Sequence, residues 1–281
     1  MDEEALCRLY DREKAAAGLG SADSLLPFIW RGRIIGRVRP EVAKFLFLQC
    51  GFFFLEGQRF CLKETYSATP KAMADVFTQA YRMLLPHGMA MEHDERLDVF
   101  PDRWSAPVSY APRGIFRAFG LITKSVHVTG FREGLFLMSV RSKTKKVAPG
   151  AYDSLAGGLI GAGEEEKIAA FREIYEESSL TPADFSLEKA CSFFVQRPVP
   201  EGFLRECVAH YEAVVSPSAE PVCRDGSVGS FEKADEAKVA ALIESGSVMP
   251  EAAFCYIDAI ARINSVRVGG DFYRHPIAMT T

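Results

Sequence analysis

Three glutamates share one face of a helix that the sequence predicts in its second half. Glu173, Glu176 and Glu177 stand at positions i, i+3 and i+4, and since a helix turns about 100° per residue, the second and third lie within roughly 60° of the first. Carboxylates at these spacings repel one another unless positive charge offsets them. Arg172 alone does not neutralise them, whereas divalent cations can, and Mg²⁺ prefers oxygen ligands of this kind. The spacing therefore favours a Mg²⁺ site, with Mn²⁺ as an alternative ion.

The same helical wheel places the bulky side chains of this segment opposite the glutamates. Phe171, Tyr175, Ile168 and Ile174 occupy that side, where we expect the domain core to lie. The carboxylates are therefore expected to point away from the packing face, into a cleft or into solvent. A solvated acidic helix is the alternative interpretation, because most runs of charge lie on solvated faces.

A glycine-rich segment leads into this helix. Gly157, Gly158, Gly161 and Gly163 allow the backbone to approach a ligand closely ahead of a helix N-terminus. The segment matches neither the P-loop pattern nor the dinucleotide-binding pattern. The glutamates at positions 164–166 would repel a bare phosphate, so a phosphate site here requires metal ions between the two sets of anions.

The spacing of these residues resembles the Nudix box. That motif is G-x5-E-x7-R-E-U-x-E-E-x-G-U, in which U is a bulky aliphatic residue, and the chain follows it from Gly158 to Leu180. Every position agrees except the last glycine, where the chain has Ser179. Serine at that position affects the cap of the helix, where glycine is the usual residue, but it removes no metal ligand.

The resemblance implies an α/β fold, the Nudix α/β/α sandwich, and Mg²⁺-dependent hydrolysis of a diphosphate linkage in a small molecule. It implies that Arg172 orients the glutamates and that Gly158 is the loop glycine beside the substrate. One of the glutamates, or a glutamate from a later loop, then activates the attacking water. The metal ligands implied in this way are Glu173, Glu176, Glu177 and the accessory Glu164. The implied catalytic residues are Glu173, Glu176, Glu177 and Arg172.

A narrower resemblance covers more of the chain. It is to the subgroup related to the Nudix part of thiamine pyrophosphokinase-type proteins, which carries an extra N-terminal domain. The segments that resemble it most are 141–145, 149–150, 153 and 156–158. The resemblance implies cleavage of thiamine diphosphate, or of its oxidised or damaged analogues, to the monophosphate and phosphate. We expect Arg141 and Lys143 to bind the substrate, although a solvated basic loop at 141–146 is the alternative.

One departure from this subgroup concerns a loop that follows the predicted strands. The subgroup often has Asp-Gly-Glu-Val there, and this chain has Ser227 in place of the glutamate. If that glutamate aids catalysis, Asp225, Glu232 or Asp235 would have to replace it, although an ordinary exposed loop explains each of them as well. The competing functions are hydrolysis of another nucleoside or coenzyme diphosphate, a non-catalytic ligand sensor with the Nudix fold, and an isomerase of the same superfamily.

The length of the chain is sufficient for two domains. Pro101, Pro107 and Pro112 lie close together and mark a boundary. We therefore predict a smaller N-terminal α+β domain at 1–112 and the Nudix domain at 113–281. The predicted helices are 2–17, one beginning at residue 40, 70–85, 165–178, 234–245 and 251–264. The predicted strands are hairpins at 27–38 and 52–62, then 125–129, 135–140, 191–196 and 207–215.

The composition excludes several classes of partner. The formal net charge of the chain is −4, so neither nucleic acid nor a membrane is expected as a partner. The N-terminus lacks the features of a signal or transit peptide, and the most apolar stretch, 45–55, is too short to cross a bilayer, which predicts a cytoplasmic protein. The seven cysteines lack C-x-x-C spacing, so neither a zinc site nor a disulfide framework is indicated. A homodimer is left open.

Overall fold

The computed structural model describes residues 1–20, 22–93, 95–145, 147–224 and 226–275. Its helices are α1 (Glu3–Ala16), α2 (Pro40–Gln49), α3 (Pro70–Leu84), α4 (Phe116–Phe119), α5 (Glu166–Ser178), α6 (Glu236–Glu244) and α7 (Pro250–Ile263). Its strands are β1 (Leu26–Trp30), β2 (Arg33–Val38), β3 (Phe53–Glu56), β4 (Arg59–Leu62), β5 (Arg96–Val99), β6 (Ser109–Pro112), β7 (Ile122–Arg132), β8 (Leu135–Arg141), β9 (Tyr152–Asp153), β10 (Ala156–Leu159), β11 (Phe185–Val199), β12 (Gly202–Val215) and β13 (Val228–Ala234). Within these ranges, no helix combines the length and apolarity that crossing a bilayer demands.

The first sheet is built from the two hairpins that the sequence predicts. Its strand order is β2-β1-β4-β3, with β1 and β4 parallel and the two hairpin pairs antiparallel. The β1–β2 turn falls at Arg31 and Gly32, which both have positive φ, as a tight hairpin turn requires. An aromatic core lies between this sheet and the following helices. The ring of Phe28 lies 5.1–6.2 Å from the rings of Phe53, Phe60, Phe77 and Phe119.

Two strands that the sequence analysis did not predict lie before and within the proline-rich stretch that suggested a boundary. β5 and β6 form a separate antiparallel pair, and β6 ends at Pro112. Proline is tolerated at such a position because it leaves no ladder hydrogen bond unmade. Regular secondary structure therefore continues up to the predicted junction. The division of the chain between residues 112 and 113 remains a proposal.

A seven-stranded mixed sheet forms the centre of the second half of the chain. Five strands lie in the order β11-β12-β7-β8-β13, while β10 pairs with β7 and β9 pairs with β8. β12 and β7 are parallel, and the other pairs are antiparallel. Along β12, Ala209, Tyr211 and Ala213 pack on the α5 side, whereas Leu204 and Val208 pack on the α7 side. Helices thus cover both faces, which confirms the α/β sandwich.

The first helix packs in the core of the larger sheet. Leu6, Leu9 and Tyr10 of α1 are buried in the same apolar cluster as α7. The rings of Tyr10 and Phe254 lie 6.0 Å apart in an edge-on arrangement. The predicted segment 1–112 therefore contributes side chains to both cores.

The two sheets meet along a close backbone contact at α4. A Cβ atom on Gly36 of β2 would lie 2.3 Å from the carbonyl oxygen of Phe119. A Cβ atom on Gly120 would lie 2.4 Å from the carbonyl oxygen of Arg37, and Gly120 has a φ of 54°. Only glycine fits positions of this kind, because no side-chain atom can enter the contact.

Candidate active site

A cavity opens near the point where β7 changes its partner strand. Residues 125–128 of β7 pair with β10, and residues 130–132 pair with β8. The cavity has a volume of about 580 Å³, which suits a small-molecule ligand. Its lining includes Glu173 and Glu177 of α5, Gly157 and Gly158 of β10, and Asp153 of β9. Two of the predicted metal ligands thus reach this cavity.

The prediction that the bulky side of α5 faces the core is wrong for Ile168 and Tyr175. These side chains are 55% and 44% exposed. Glu173 is instead 8% exposed and shares its face with the buried Ala169 and Ala170. Alanines let a helix approach a sheet closely, and the glycines of β10 leave room for carboxylates at the level of the strand. The glutamate face is therefore the inner face of α5, and it reaches the cavity rather than open solvent.

Gly158 is required by the close approach of Glu173. A Cβ atom at position 158 would lie 2.2 Å from Glu173 Oε1 and 2.4 Å from its Cδ, well inside van der Waals contact. Any side chain here would displace the Glu173 carboxylate. The neighbouring Gly157 donates its backbone N–H to Glu177 Oε2 at 3.1 Å. The two glycines together determine where these two carboxylates lie.

Arg172 links the glutamates to the loop before α5. Its Nε and Nη2 donate to the two carboxylate oxygens of Glu164 at 2.8 and 2.9 Å. Its Nη1 donates to Glu173 at 2.6 Å and to Glu176 at 3.3 Å. The bonds to Glu164 raise the pKa of Arg172 although burial opposes the shift, and the same bonds lower the pKa of Glu164. Arg172 therefore stays charged and orients the carboxylates, as a bidentate pair does.

The inner carboxylates lack sufficient positive charge. Burial, together with the nearby charges of Asp153 and Glu173, raises the pKa of Glu177 to about 8. Burial also raises the pKa of Glu173, and the charge of Arg172 offsets this only in part. Glu176 has a side chain that is 47% exposed, at the solvent side of the group. Carboxylates in this situation favour a proton or a nearby cation.

One of the two predicted substrate-binding cations lines the cavity. Arg141 lies in its wall, where Nη1 donates to Asp153 at 2.9 Å and Nη2 donates to the carbonyl of Val147 at 3.1 Å. Lys143 is exposed and is not among the described residues that line the cavity, whereas Lys145 is. Lys145, and not Lys143, therefore lies in the cavity wall. Lys146, the last residue of the predicted basic loop, lies outside the described residues.

The cavity also contains carboxylates that the sequence analysis did not single out. Glu206 of β12 accepts hydrogen bonds from Ser125 Oγ at 2.7 Å and Thr123 Oγ1 at 3.2 Å, and burial, with the charge of Glu251, raises its pKa. Glu251, in the first turn of α7, is 8% exposed and pairs with Arg197 at 2.9 Å. Both glutamates line the cavity. The only sequence signal was a glutamate within an apolar strand, which is unusual without a partner.

Comparisons with known proteins show which proteins the chain is similar to. No family profile matches the sequence. An uncharacterized Nudix hydrolase of Pseudomonas aeruginosa is 32% identical over 106 residues, which cover 37% of this chain and 62% of the relative. An uncharacterized Nudix hydrolase of Streptomyces coelicolor is 40% identical over 91 residues, which cover 32% of this chain and 50% of the relative. Over these segments the chain is similar to Nudix hydrolases.

The Nudix relatives are matched over only part of their length. The chain spans 62% and 50% of the two relatives described above. Among solved structures, DR0079 from Deinococcus radiodurans has a TM-score of 0.47 and 22% identity, with 58% of this chain and 97% of that chain covered. The NUDIX domain of Shewanella oneidensis NrtR, complexed with ADP ribose, has a TM-score of 0.41 and 17% identity, with 52% and 91% covered.

In the segment that resembles the Nudix box, the residue after α5 adopts the backbone conformation in which glycine is usual at a helix end. Ser179 follows α5 with a φ of 60° and a ψ of 5°, the left-handed region. Its N–H donates to the carbonyl of Tyr175 at 2.9 Å. Its hydroxyl donates to the carbonyl of Val222 at 2.5 Å and accepts from Arg224 Nε at 2.9 Å. These bonds hold serine in the conformation that glycine adopts at a helix C-terminus.

The loop that lacks the glutamate of the Nudix subgroup still reaches the site. Ser227 Oγ donates to Glu177 Oε1 at 3.5 Å. Of the residues predicted to replace that glutamate, Glu232 accepts a hydrogen bond from Lys238 and Asp235 caps α6. Among the described residues, neither of these two lines the cavity. Asp225 lies outside the described residues.

Proposed function

We propose that the chain is a Mg²⁺-dependent hydrolase that cleaves a diphosphate linkage in a small molecule. The observation that carries the proposal is the cavity onto which Glu173 and Glu177 open, with Glu164 and Glu176 bonded to the same arginine. Burying like charges side by side is costly unless a partner neutralises them. A cation bound together with an anionic substrate is a partner of the required kind.

The donor atoms fit Mg²⁺, with Mn²⁺ as an alternative. The proposed ligands Glu173, Glu176 and Glu177, and the accessory Glu164, offer only carboxylate oxygens, which hard divalent cations prefer. The raised pKa values of Glu173 and Glu177 reflect missing positive charge at this face. A bound cation would neutralise the negative charge of the phosphoryl oxygens and lower the pKa of a water molecule.

Residues of the chain itself position the reacting groups. Arg172 keeps the glutamates oriented, and the N–H of Gly157 fixes Glu177. One glutamate of this face accepts the proton of the attacking water, because a carboxylate within hydrogen-bonding reach can act as a general base. Arg141 and Lys145 line the same cavity and offer positive charge to the diphosphate. Since Arg141 is held by two partners, it presents a fixed guanidinium.

We propose thiamine diphosphate, or its oxidised or damaged analogues, as the substrate, with the monophosphate and phosphate as products. The resemblance of the N-terminal half and of residues 141–158 to the thiamine-related subgroup supports this assignment. The cavity supports it too, because Glu206 and Glu251 line the same space as Arg141 and Lys145. Carboxylates suit an organic group with positive charge and amino donors, while the cations suit its diphosphate.

A hydrolase of another nucleoside or coenzyme diphosphate is the second candidate. The cavity volume of about 580 Å³ lies within the range of ordinary ligand pockets, which accommodates several such molecules. A non-catalytic ligand sensor is the candidate from another class. It has no need of a complete set of acidic residues, because binding a diphosphate calls for positive charge only.

A substrate panel with and without Mg²⁺ tests these candidates. The panel contains thiamine diphosphate, oxidised thiamine diphosphate, nucleoside diphosphate sugars and dinucleotide coenzymes, and phosphate or monophosphate release is measured. We expect Mg²⁺-dependent turnover of the thiamine compounds and a loss of at least about 100-fold in Glu176→Gln. Glu188→Gln, which changes an exposed glutamate on β11, is the matched control.

Each outcome of the panel separates two candidates. Turnover of other diphosphates without the thiamine compounds would remove the thiamine assignment but keep the hydrolase. Ligand binding without turnover across the panel would favour the sensor. Activity that survives unchanged in Glu176→Gln would contradict the assigned site.

A further inference from the structure

Four side chains of different chemistry converge on the face of the large sheet that α7 covers. They are Cys191 of β11, His210 of β12, Asp258 of α7, and His275. Cys191 Sγ, a carboxylate oxygen of Asp258 and a ring nitrogen of His275 all lie within 4.8 Å of one another. His210 Nδ1 lies 3.6 Å from Cys191 Sγ and 3.2 Å from Asp258 Oδ2. His275 Nε2 lies 2.8 Å from Asp258 Oδ1. Cys191, Asp258 and His275 therefore surround one small volume, and His210 borders it through its contacts with Cys191 and Asp258.

Their spacing and chemistry match a tetrahedral zinc site. Zinc binds sulfur, imidazole nitrogen and carboxylate oxygen at roughly 2.0–2.3 Å, which places neighbouring ligand atoms about 3.3–3.6 Å apart. The sulfur–nitrogen distance of 3.6 Å and the nitrogen–oxygen distance of 3.2 Å are close to these values. The distance of 2.8 Å between His275 and Asp258 is shorter and would have to widen when both residues bind one ion. A thiol beside two imidazoles selects zinc over Mg²⁺, since magnesium prefers oxygen ligands alone.

The burial of these groups fits a structural ion that enters from one side. Cys191 and His210 are fully buried, and Asp258 is 2% exposed. The side chain of His275 is 49% exposed. Three ligands thus lie fixed in the core, and the fourth covers the open side. A site with four protein ligands has no free position for a substrate, which is characteristic of structural rather than catalytic zinc.

Neighbouring residues hold the ligands in orientations that suit a metal. The second ring nitrogen of His210, Nε2, lies 2.9 Å from Thr129 Oγ1. If Nε2–H donates to that hydroxyl, Nδ1 presents its lone pair to the thiol and the carboxylate. Arg262 Nε donates to Asp258 Oδ2 at 3.0 Å, and its other nitrogens pair with Glu212. Partners of this kind commonly fix the tautomer and direction of metal ligands.

We propose that Cys191, His210, Asp258 and His275 form a structural zinc site, separate from the glutamates of α5. Binding replaces the thiol proton of Cys191, which passes to the solvent, so the thiolate and the Asp258 carboxylate balance the two positive charges of the ion. The ion would tie the segment that carries His275 to two strands and to α7. The competing arrangement is a metal-free network in which Asp258 accepts hydrogen bonds from both histidines.

Metal analysis of the full chain tests the proposal. The protein, with any affinity tag removed, is stripped with a chelator, equilibrated with Zn²⁺ in excess Mg²⁺, desalted, and assayed by mass spectrometry for zinc. We expect about one zinc ion per chain, and loss of that ion in Cys191→Ser and in His275→Ala. The matched controls Cys7→Ser and His87→Ala should keep it. Glu176→Gln should keep it as well, which separates this site from the active site.

Cobalt substitution provides a direct readout of the thiolate ligand. Co²⁺ in place of zinc should give a sulfur-to-cobalt charge-transfer band in wild type and Cys7→Ser, and no band in Cys191→Ser. His275→Ala keeps the test decisive if Cys191→Ser fails to fold, because His275 is half exposed and removing it leaves the core intact. Wild-type protein without stoichiometric zinc, or zinc content unaffected by both substitutions, would overturn the proposal in favour of the hydrogen-bonded network.

Discussion

The two sides of the large sheet hold two clusters of ionisable groups that differ in ligand chemistry and in access. On the α5 side, burial and like-charged neighbours raise the pKa of Glu177 to about 8. On the α7 side, burial also acts to raise the pKa of Asp258, but hydrogen bonds from His210 and the charge of Arg262 hold it below its usual range. The first cluster offers only oxygen atoms to an open cavity, whereas the second combines sulfur, nitrogen and oxygen within the core.

The difference in ligand atoms and in access indicates which ion each cluster can bind. In the α5 cluster a carboxylate gains its charge when a cation approaches, so a metal that arrives and leaves with an anionic substrate suits it. In the α7 cluster Asp258 is ionised before any ion binds, and its partners are fixed. We therefore expect exchangeable Mg²⁺ at the first cluster and a permanent ion at the second.

The largest expected effect comes from Glu177→Gln. The substitution removes a proposed ligand, so Mg²⁺-dependent phosphate release should fall by about 1,000-fold. The melting temperature should stay the same or rise, because a glutamine amide, unlike a carboxylate, places no charge in the buried site. Steady-state rates and thermal unfolding measure the two quantities, with Glu188→Gln as the control. Activity close to that of the control would show that the α5 cluster is not the reacting site.

Asp258→Asn should have the next largest effect, and on stability. Asp258 is 2% exposed, accepts a hydrogen bond from Arg262, and lies 3.2 Å from His210 Nδ1 and 2.8 Å from His275 Nε2. Removing its charge leaves buried donors without their partner, so the free energy of unfolding should fall by about 3 kcal/mol. Urea denaturation measures the loss. Asp75→Asn, at an exposed carboxylate paired with Lys71, should change it by less than about 0.5 kcal/mol. Equal effects of the two substitutions would refute the contrast between the clusters.

Gly158→Ala should impair the α5 cluster through position alone. The new methyl group would meet the Glu173 carboxylate at 2.2 Å, and the flexible glutamate side chain would have to move aside. We expect the rate to fall by about 100-fold, because a displacement of this size misplaces a ligand, with little change in melting temperature. Gly51→Ala is the control, since a Cβ there meets no atom within 4 Å. A normal rate in Gly158→Ala would mean that the position of Glu173 does not matter.

Glu13→Gln should have the smallest effect, and it depends on pH. Burial and the charge of Glu251 raise the pKa of Glu13 to about 7, with Arg197 and Arg12 opposing the shift. The folded state therefore holds a proton that the unfolded state releases above pH 4.5, so wild-type stability falls as pH rises from there to 7. The variant should match wild type near pH 4.5 and exceed it by about 1–2 kcal/mol at pH 8.

Urea denaturation across this pH range measures the difference for Glu13. Asp11→Asn, at an exposed position of the same helix, is the control and should give a curve parallel to wild type. If the free energies of unfolding of Glu13→Gln and wild type differ by the same amount at all pH values, burial does not keep the Glu13 carboxyl protonated.

The residues of the candidate site could be predicted from sequence, but their orientation could not. The box spacing singled out Glu173 and Glu177, and both reach the cavity. The helical wheel assigned the inner face to the bulky residues, and Ile174 is buried as predicted, but the structure also buries Ala169, Ala170 and Glu173 and leaves Ile168 and Tyr175 exposed. Helix–sheet contact here depends on small residues and on the glycines of β10, and a wheel that ranks residues by size alone cannot anticipate that.

The fold was predicted best where the signal is local. The hairpins of the first sheet and the long helices appear as expected. β5, β6 and β13 were not predicted, since prolines or charged residues interrupt the alternation by which strands are recognised. Glu206, Lys145 and the group around Asp258 depend on contacts between elements far apart in the chain. No spacing rule brings Cys191 and His275 together, so the sequence alone could not suggest that the two residues lie near each other.

The backbone contact at α4 has a consequence for how ligands reach the cavity. Gly36 and Gly120 place main chain directly against main chain where the two sheets meet. The Arg205 side chain reinforces this joint, because its Nη1 donates to the carbonyls of Ile35 and Gly120 at 3.1 and 3.2 Å. A rotation of one sheet against the other would have to break these close contacts. The cavity also borders Arg113 and Arg117, which flank this joint. We therefore expect a ligand to enter and leave through movement of side chains and loops at the rim, and not through rotation at α4.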